Sequence, residues 1–189
     1  MRLRMKKYKD LFKVETVEYK NRVKQEVMYT GDYYITDMPQ KLMRKYKICL
    51  ILISVFMAIL FLYIGLLNND GSRVLYVVMP YILQFLPISF MIISAASFYP
   101  KEKLTVVQYE KTFTRIRTTG TWILILSFAS ILGEVIFIIA GYGNTPKLEL
   151  VFLVCNIIIA VFAIITLQIH SKIKFKTEQN NRNVNGQNV

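Results

Sequence analysis

Four long apolar runs, each closed off by polar or charged residues, dominate the pattern of hydrophobic and polar positions. Ile48–Leu67 carries no charge, and neither does Val74–Phe98, where Gln84 is the most polar residue. Thr121–Tyr142 carries one charge, Glu134, and Leu150–Ile169 carries none, with Asn156 as its polar exception. About 20 residues rising 1.5 Å each cross a hydrocarbon core of about 30 Å, so every run can span a bilayer. The runs are continuous rather than alternating, and four of them cannot close a barrel, so helices are the expected form. The pattern predicts an all-α integral membrane protein, a four-transmembrane-helix bundle over 48–169.

The connections refine that expectation. Asn68–Arg73 and Gly143–Glu149 are very short, which predicts two antiparallel hairpins joined by a longer loop, 99–120. Of the 24 Lys and Arg residues, 22 fall in segment 1–47, in that loop, or after Ile169. By the positive-inside rule both termini and the middle loop are expected in the cytoplasm, with the protein in the cell membrane. No signal-peptide pattern opens the chain, so the N-terminus is expected to be retained.

The polar segments predict less. Segment 1–47 is too short and too charged for a core of its own. Tyr8, Leu11, Phe12, Tyr19, Val23 and Val27 share one broad helical face, which predicts an amphipathic helix on the inner membrane surface. A strand pair, Val14–Tyr19 with Val23–Tyr29, is the less favoured alternative. Asp37 with Met38-Pro39 reads as an N-cap opening the helix into the first span. Loop 99–120, with Tyr109, Phe113 and Ile116 among Lys111, Arg115 and Arg117, reads as a helical extension at the interface. Gly120 predicts a break before Trp122, an interfacial anchor. Thr177–Val189 has little to bury, and the tail 170–189 is expected to be disordered.

Composition narrows the function classes. The 189 residues are 54% apolar and 19% charged, with a formal net charge of +12. A soluble domain averages about 45–50% and about 25%. The positive charge lies where membrane insertion requires it, so nucleic-acid binding is not expected. Two cysteines make no disulfide framework, and one histidine excludes paired-histidine metal sites. No hydrolase, metalloprotease, phosphate-loop or Cys-x-x-Cys pattern is present, and no family motif can be matched residue by residue. No enzyme activity, cofactor or metal is expected.

The candidate chemistry is intramembrane. A carboxylate inside a span is costly and suggests function by default. Ser127, Ser130 and Glu134 lie on one helical face. Counted from the basic side, Glu134, Gln84 and Asn156 all fall at roughly 20 Å, with Tyr63 close to that level. A polar layer of Glu134, Gln84, Asn156, Ser130 and Tyr63 is therefore expected, with a protonated Glu134 donating to Gln84 or Asn156. Such a layer either fixes helix register, the preferred reading, or couples a proton or substrate, with the second span's prolines allowing a bend. Lys41, Arg44, Lys45 and Lys47, and Lys172, Lys174 and Lys176, flank the first and last spans. They set topology and are candidates for contact with anionic lipids. The leading expectation is a non-enzymatic accessory or interaction subunit, as a homo-oligomer or in a larger membrane complex. The alternative is a small oligomeric transporter or channel using Glu134.

Overall fold

A computed structural model of the chain describes residues 11–19, 22–141 and 146–179. Most of these are helical, and four helical segments are long and apolar enough to cross a membrane. The first is α1, Gln40–Gly65. The second consists of α2, Leu75–Leu83, and α3, Phe85–Ala96. After α4, Val106–Tyr109, a π-helical turn over Glu110–Thr114 leads into α5, Arg115–Ile139. The fourth segment is α6, Pro146–Lys172. Helix α1 packs on α3 and α6, while α5 packs on α2, α3 and α6.

The inward faces are narrow stripes. Met43, Leu50, Met57 and Ile64 recur at every seventh position of α1, and all are buried. The outward faces are equally apolar: Leu52 is 64% exposed, Leu62 61% and Leu132 61%. Water would penalise such an exterior, whereas hydrocarbon does not. Between α2 and α3 the helix is interrupted at Gln84. Pro87 has no N–H for the Leu83 carbonyl, and its ring crowds that carbonyl. The Gln84 N–H is shared between the carbonyls of Pro80 at 3.2 Å and Tyr81 at 3.0 Å.

Gly120 does not break its helix. It lies inside α5, where an added Cβ would stand 3.1 Å from Leu167 Cδ2 and 3.4 Å from Met91 Cε. Its role is close approach of α5 to α6 and α3. Helix α4 starts earlier than the apolar pattern suggests because Thr105 and Gln108 form a reciprocal cap. The Gln108 N–H donates to Thr105 Oγ1 at 3.3 Å, and the Thr105 N–H donates to Gln108 Oε1 at 3.2 Å.

The largest correction concerns the segment read as an amphipathic helix over Tyr8–Val27. Its described part is an antiparallel pair, β1 (Phe12–Tyr19) and β2 (Arg22–Tyr29), in register from Phe12↔Tyr29 to Tyr19↔Arg22. Val14, Thr16, Val17, Val23 and Val27 are β-branched, and only Lys20 and Asn21 separate the strands, a length that suits a hairpin. Residues 8–10, 20 and 21 of the expected helix lie outside the described residues.

Three distant segments then meet in one sheet. β3 (Tyr33–Ile35) is its central strand, antiparallel to β4 (Lys103–Thr105) on one side and β5 (Lys176–Glu178) on the other. Lys176–Glu178 is therefore an ordered strand, contrary to the disordered tail expected from composition; residues 180–189 lie outside the described residues. Asp37 does not cap α1. The cap position is Pro39, with no side-chain bond, and Asp37 instead accepts from Lys176 Nζ at 2.9 Å. That exposed pair and Lys103–Glu178 at 2.7 Å add little beside the backbone ladder.

An aromatic cluster ties the sheet to the helices. Tyr34 stacks on Tyr109 at 4.1 Å between centroids, and Phe113 meets Phe98 at 4.8 Å and Phe175 at 4.5 Å. Tyr29 anchors the hairpin: its hydroxyl donates to the Asp32 carbonyl at 2.8 Å and accepts from the Val106 N–H at 3.1 Å. Burial pushes this phenol above its ordinary pKa, against the lowering effect of the Val106 N–H. Tyr29→Phe removes both bonds while keeping the ring. It should speed amide hydrogen exchange at Val106 and through β1–β2 several-fold, by about 0.5–1.5 kcal/mol for each lost bond. Exchange in α1, α5 and α6 should not change; uniform acceleration would mean that the hairpin and the helices open together.

Candidate functional site

The bundle interior carries an unusual load of polar side chains. Ser127, Ser130 and Glu134, from one face of α5, are each fully buried, as are Gln84 and, on α6, Asn156 and Thr166. They divide into two groups with different chemistry.

The outer group is built around two carboxyl groups. Glu149 sits in the first turn of α6, where an anion complements the helix N-terminus, and is 1% exposed. It accepts from Asn69 Nδ2 at 2.8 Å, from the Asp70 N–H at 2.7 Å and from the Gly71 N–H at 3.1 Å. The loop between α1 and α2 is thereby folded onto α6 by a single side chain. Glu134 comes within hydrogen-bonding reach of this carboxylate, while neither of its oxygens meets a donor among the described residues. Two carboxyl groups this close bond only if one keeps its proton. Glu149 already receives three donors and Glu134 receives none, an asymmetry that favours Glu134 as the proton's holder and Glu149 as its acceptor. Gly71 makes room for the pair, since a Cβ there would stand 2.6 Å from Glu134 Oε2 and 2.8 Å from Glu149 Oε2.

This corrects the expected partner of Glu134. Gln84 and Asn156 bond to each other instead, Gln84 Nε2 donating to Asn156 Oδ1 at 3.5 Å. Asn156 Nδ2 turns back to its own helix, donating to the Phe152 carbonyl at 3.1 Å. Gln84 Oε1 and the hydroxyls of Ser127, Ser130 and Thr166 have no protein partner among the described residues. Tyr63 does not join them: half exposed, it faces away from the interior. Tyr81 does the work expected there, donating to the Phe61 carbonyl at 2.6 Å with its ring stacked on Phe61 at 4.6 Å.

His170 belongs to neither group. It lies beside Phe113 at the sheet end, 6.1 Å between centroids, and along α6 it is roughly 32 Å from Glu149. No proton passes directly between them. The flanking cations are at the sheet end too. Lys41, Arg44 and Lys45 are exposed in the first turns of α1, Lys47 is half-buried, and Lys172 and Lys174 are exposed on the way to β5.

Glu149, Asn69 and Gly71 escaped the sequence reading because they stand outside the apolar runs. The available signal was Pro146 followed by an acidic residue in the same turn, a helix start. Compared with protein families, curated proteins and solved structures, the chain matches none. The arrangement can hold one proton between two carboxyl groups and can fix helix register through amides.

The donor count makes the two glutamates unequal. Glu134→Gln still donates to Glu149 and should leave the melting temperature within the range of an ordinary surface change, about 0.5 kcal/mol. Glu149→Leu strands three donors and should cost about 1–3 kcal/mol for each left unsatisfied. Gly71→Ala should destabilise by about 1–3 kcal/mol through overpacking, and by less in a Glu134→Ala background. Equal losses from Glu134→Gln and Glu149→Leu in detergent melting would remove the proton from Glu134.

Proposed function

We propose that this protein is a non-enzymatic multi-pass membrane subunit of two antiparallel hairpins, with both termini and the sheet in the cytoplasm of the cell. The observation that carries this reading is the ordered end-piece. The hairpin, the sheet and the aromatic cluster draw on three segments far apart in the chain, and these segments hold 22 of its 24 basic residues. The connection between α1 and α2 at the other end is short and is drawn inward by Glu149. One elaborated, basic end, with no nucleophile–base pair in the interior among the described residues, suits recognition better than catalysis. The partner is a second copy or a larger membrane protein, with anionic lipid around Lys41, Arg44, Lys45, Lys47, Lys172 and Lys174.

The test is purification from native membrane after cross-linking, with mass spectrometry of what remains at stoichiometric ratio. A partner or a second copy at fixed ratio is expected; a solitary monomer would overturn the subunit reading. The carboxyl pair favours a second reading, an oligomeric transporter or channel that uses Glu134. That reading requires proton-dependent flux in proteoliposomes, lost in a folded Glu134→Gln protein because glutamine cannot release a proton.

Orientation has its own measurement. With Cys49 and Cys155 replaced, a cysteine at Lys147 should react with an impermeant thiol reagent applied to intact cells. A cysteine at Lys101 should react only after permeabilisation. The reverse pattern would invert the topology.

A further inference from the structure

The interrupted second span leaves a groove of about 440 Å³ against α5. Leu83, Leu86 and Phe90 form one wall, Trp122 and Leu126 the other, and Arg115 closes the sheet end. Along α5, Arg115 and Leu126 are separated by roughly 16 Å. That is about half of a 30 Å hydrocarbon core. The groove has the length of one leaflet, with its charge at the headgroup level and apolar walls below.

The Arg115 side chain faces the groove with an aromatic ring as its neighbour. It is half-buried, and its guanidinium carbon lies 6.0 Å from the centroid of the Phe90 ring. Lys103 and Lys176 have carboxylate partners, whereas among the described residues no carboxylate pairs with Arg115. Among the described residues, no acidic side chain lines the groove. A guanidinium presents a planar fork of donors that matches phosphate. A zwitterionic headgroup would bring a second cation beside Arg115, with no carboxylate in the groove to receive it.

We propose that this groove binds one anionic phospholipid of the leaflet at the sheet end, its phosphate on Arg115 and an acyl chain between the two walls. The site is separate from the flanking lysines, and it holds whether the protein is a subunit or a transporter. Phospholipid is favoured over a soluble anion because the groove is open along hydrocarbon and lined mainly by apolar side chains.

Trp122 is the single tryptophan of the chain and stands in the groove wall, so it reports occupancy directly. The full-length protein is reconstituted in phosphatidylcholine vesicles containing equal mole fractions of either acyl-brominated phosphatidylglycerol or acyl-brominated phosphatidylcholine. One basic residue near the surface is worth about 1 kcal/mol, so occupancy by the anionic lipid should be favoured roughly fivefold and Trp122 quenched correspondingly more. Arg115→Gln should bring the two lipids to parity. Arg117→Gln loses the same charge two positions on, outside the groove, and should keep the preference. Equal quenching in the unaltered protein would overturn the proposal, and that comparison needs no variant to fold. A preference that survives Arg115→Gln, or one that falls equally in Arg117→Gln, would assign the effect to the general charge of this end and overturn the groove site.

Discussion

Hydrocarbon offers no hydrogen bonds, so a chain crossing it must satisfy each polar group from within. Helices settle this for the backbone except at two kinds of place, their ends and their prolines, and the informative residues of this protein gather there. At Pro87 the ladder loses a donor, and the span divides at Gln84, whose amide then turns inward to Asn156. At the outer helix ends the backbone N–H groups of Asp70 and Gly71 would face a thin polar boundary. Glu149 takes both, and its own charge faces the N-terminus of α6.

The same requirement explains why a second carboxyl group is tolerated at depth. Glu134 would be costly as an ion, yet as an acid it needs only one acceptor, and Glu149 supplies it. Glu149 ties the loop between α1 and α2 to α6, and Glu134 of α5 stands beside the same loop at Gly71. Further in, the stakes fall. The hydroxyls of Ser127 and Ser130 are small enough to pass helices closely, and interhelical bonds in membranes contribute about 1 kcal/mol or less apiece. Packing of narrow apolar stripes, rather than exclusion of water, holds the helices together here.

How much of this is legible from sequence depends on the kind of signal. The spans are legible because composition alone decides them. Height along the bundle is legible from the rise per residue only in part. Gln84 and Asn156 stand at one level, whereas Glu134, expected beside them, lies nearer the helix ends with Glu149 because its helix begins at Arg115 rather than Thr121. Rotation about the axis is not legible: Tyr63 shares the height of the polar groups but lies between the inward-facing Phe61 and Ile64, turned away from the interior. The hairpin misleads because Leu11, Phe12, Tyr19, Val23 and Val27 also satisfy a helical face, and β-branching and the two-residue connection outweigh that coincidence. Gly120 misleads in the opposite sense, since a glycine in a span marks close approach as readily as a break. Glu149 is hidden because its partner lies across a helix connection, and the pairing depends on a loop that folds back from elsewhere.

The small sheet has a consequence for the order of assembly. Its central strand precedes the first span, and both neighbours follow later in the chain. Asp37 and Lys176, which close one edge, are 139 positions apart. During synthesis Tyr33–Ile35 therefore emerges early and stays without a partner on that edge until every intervening helix has been made and inserted. Contacts of such long sequence separation form late and slowly. In a bundle whose four helices all cross, the even number of crossings returns residue 176 to the side where residue 35 waits, and there β5 can reach β3. A chain with one helix left out would deliver that strand to the wrong face. In such a bundle a closed sheet would report an even number of crossings, because an odd number would part β5 from β3.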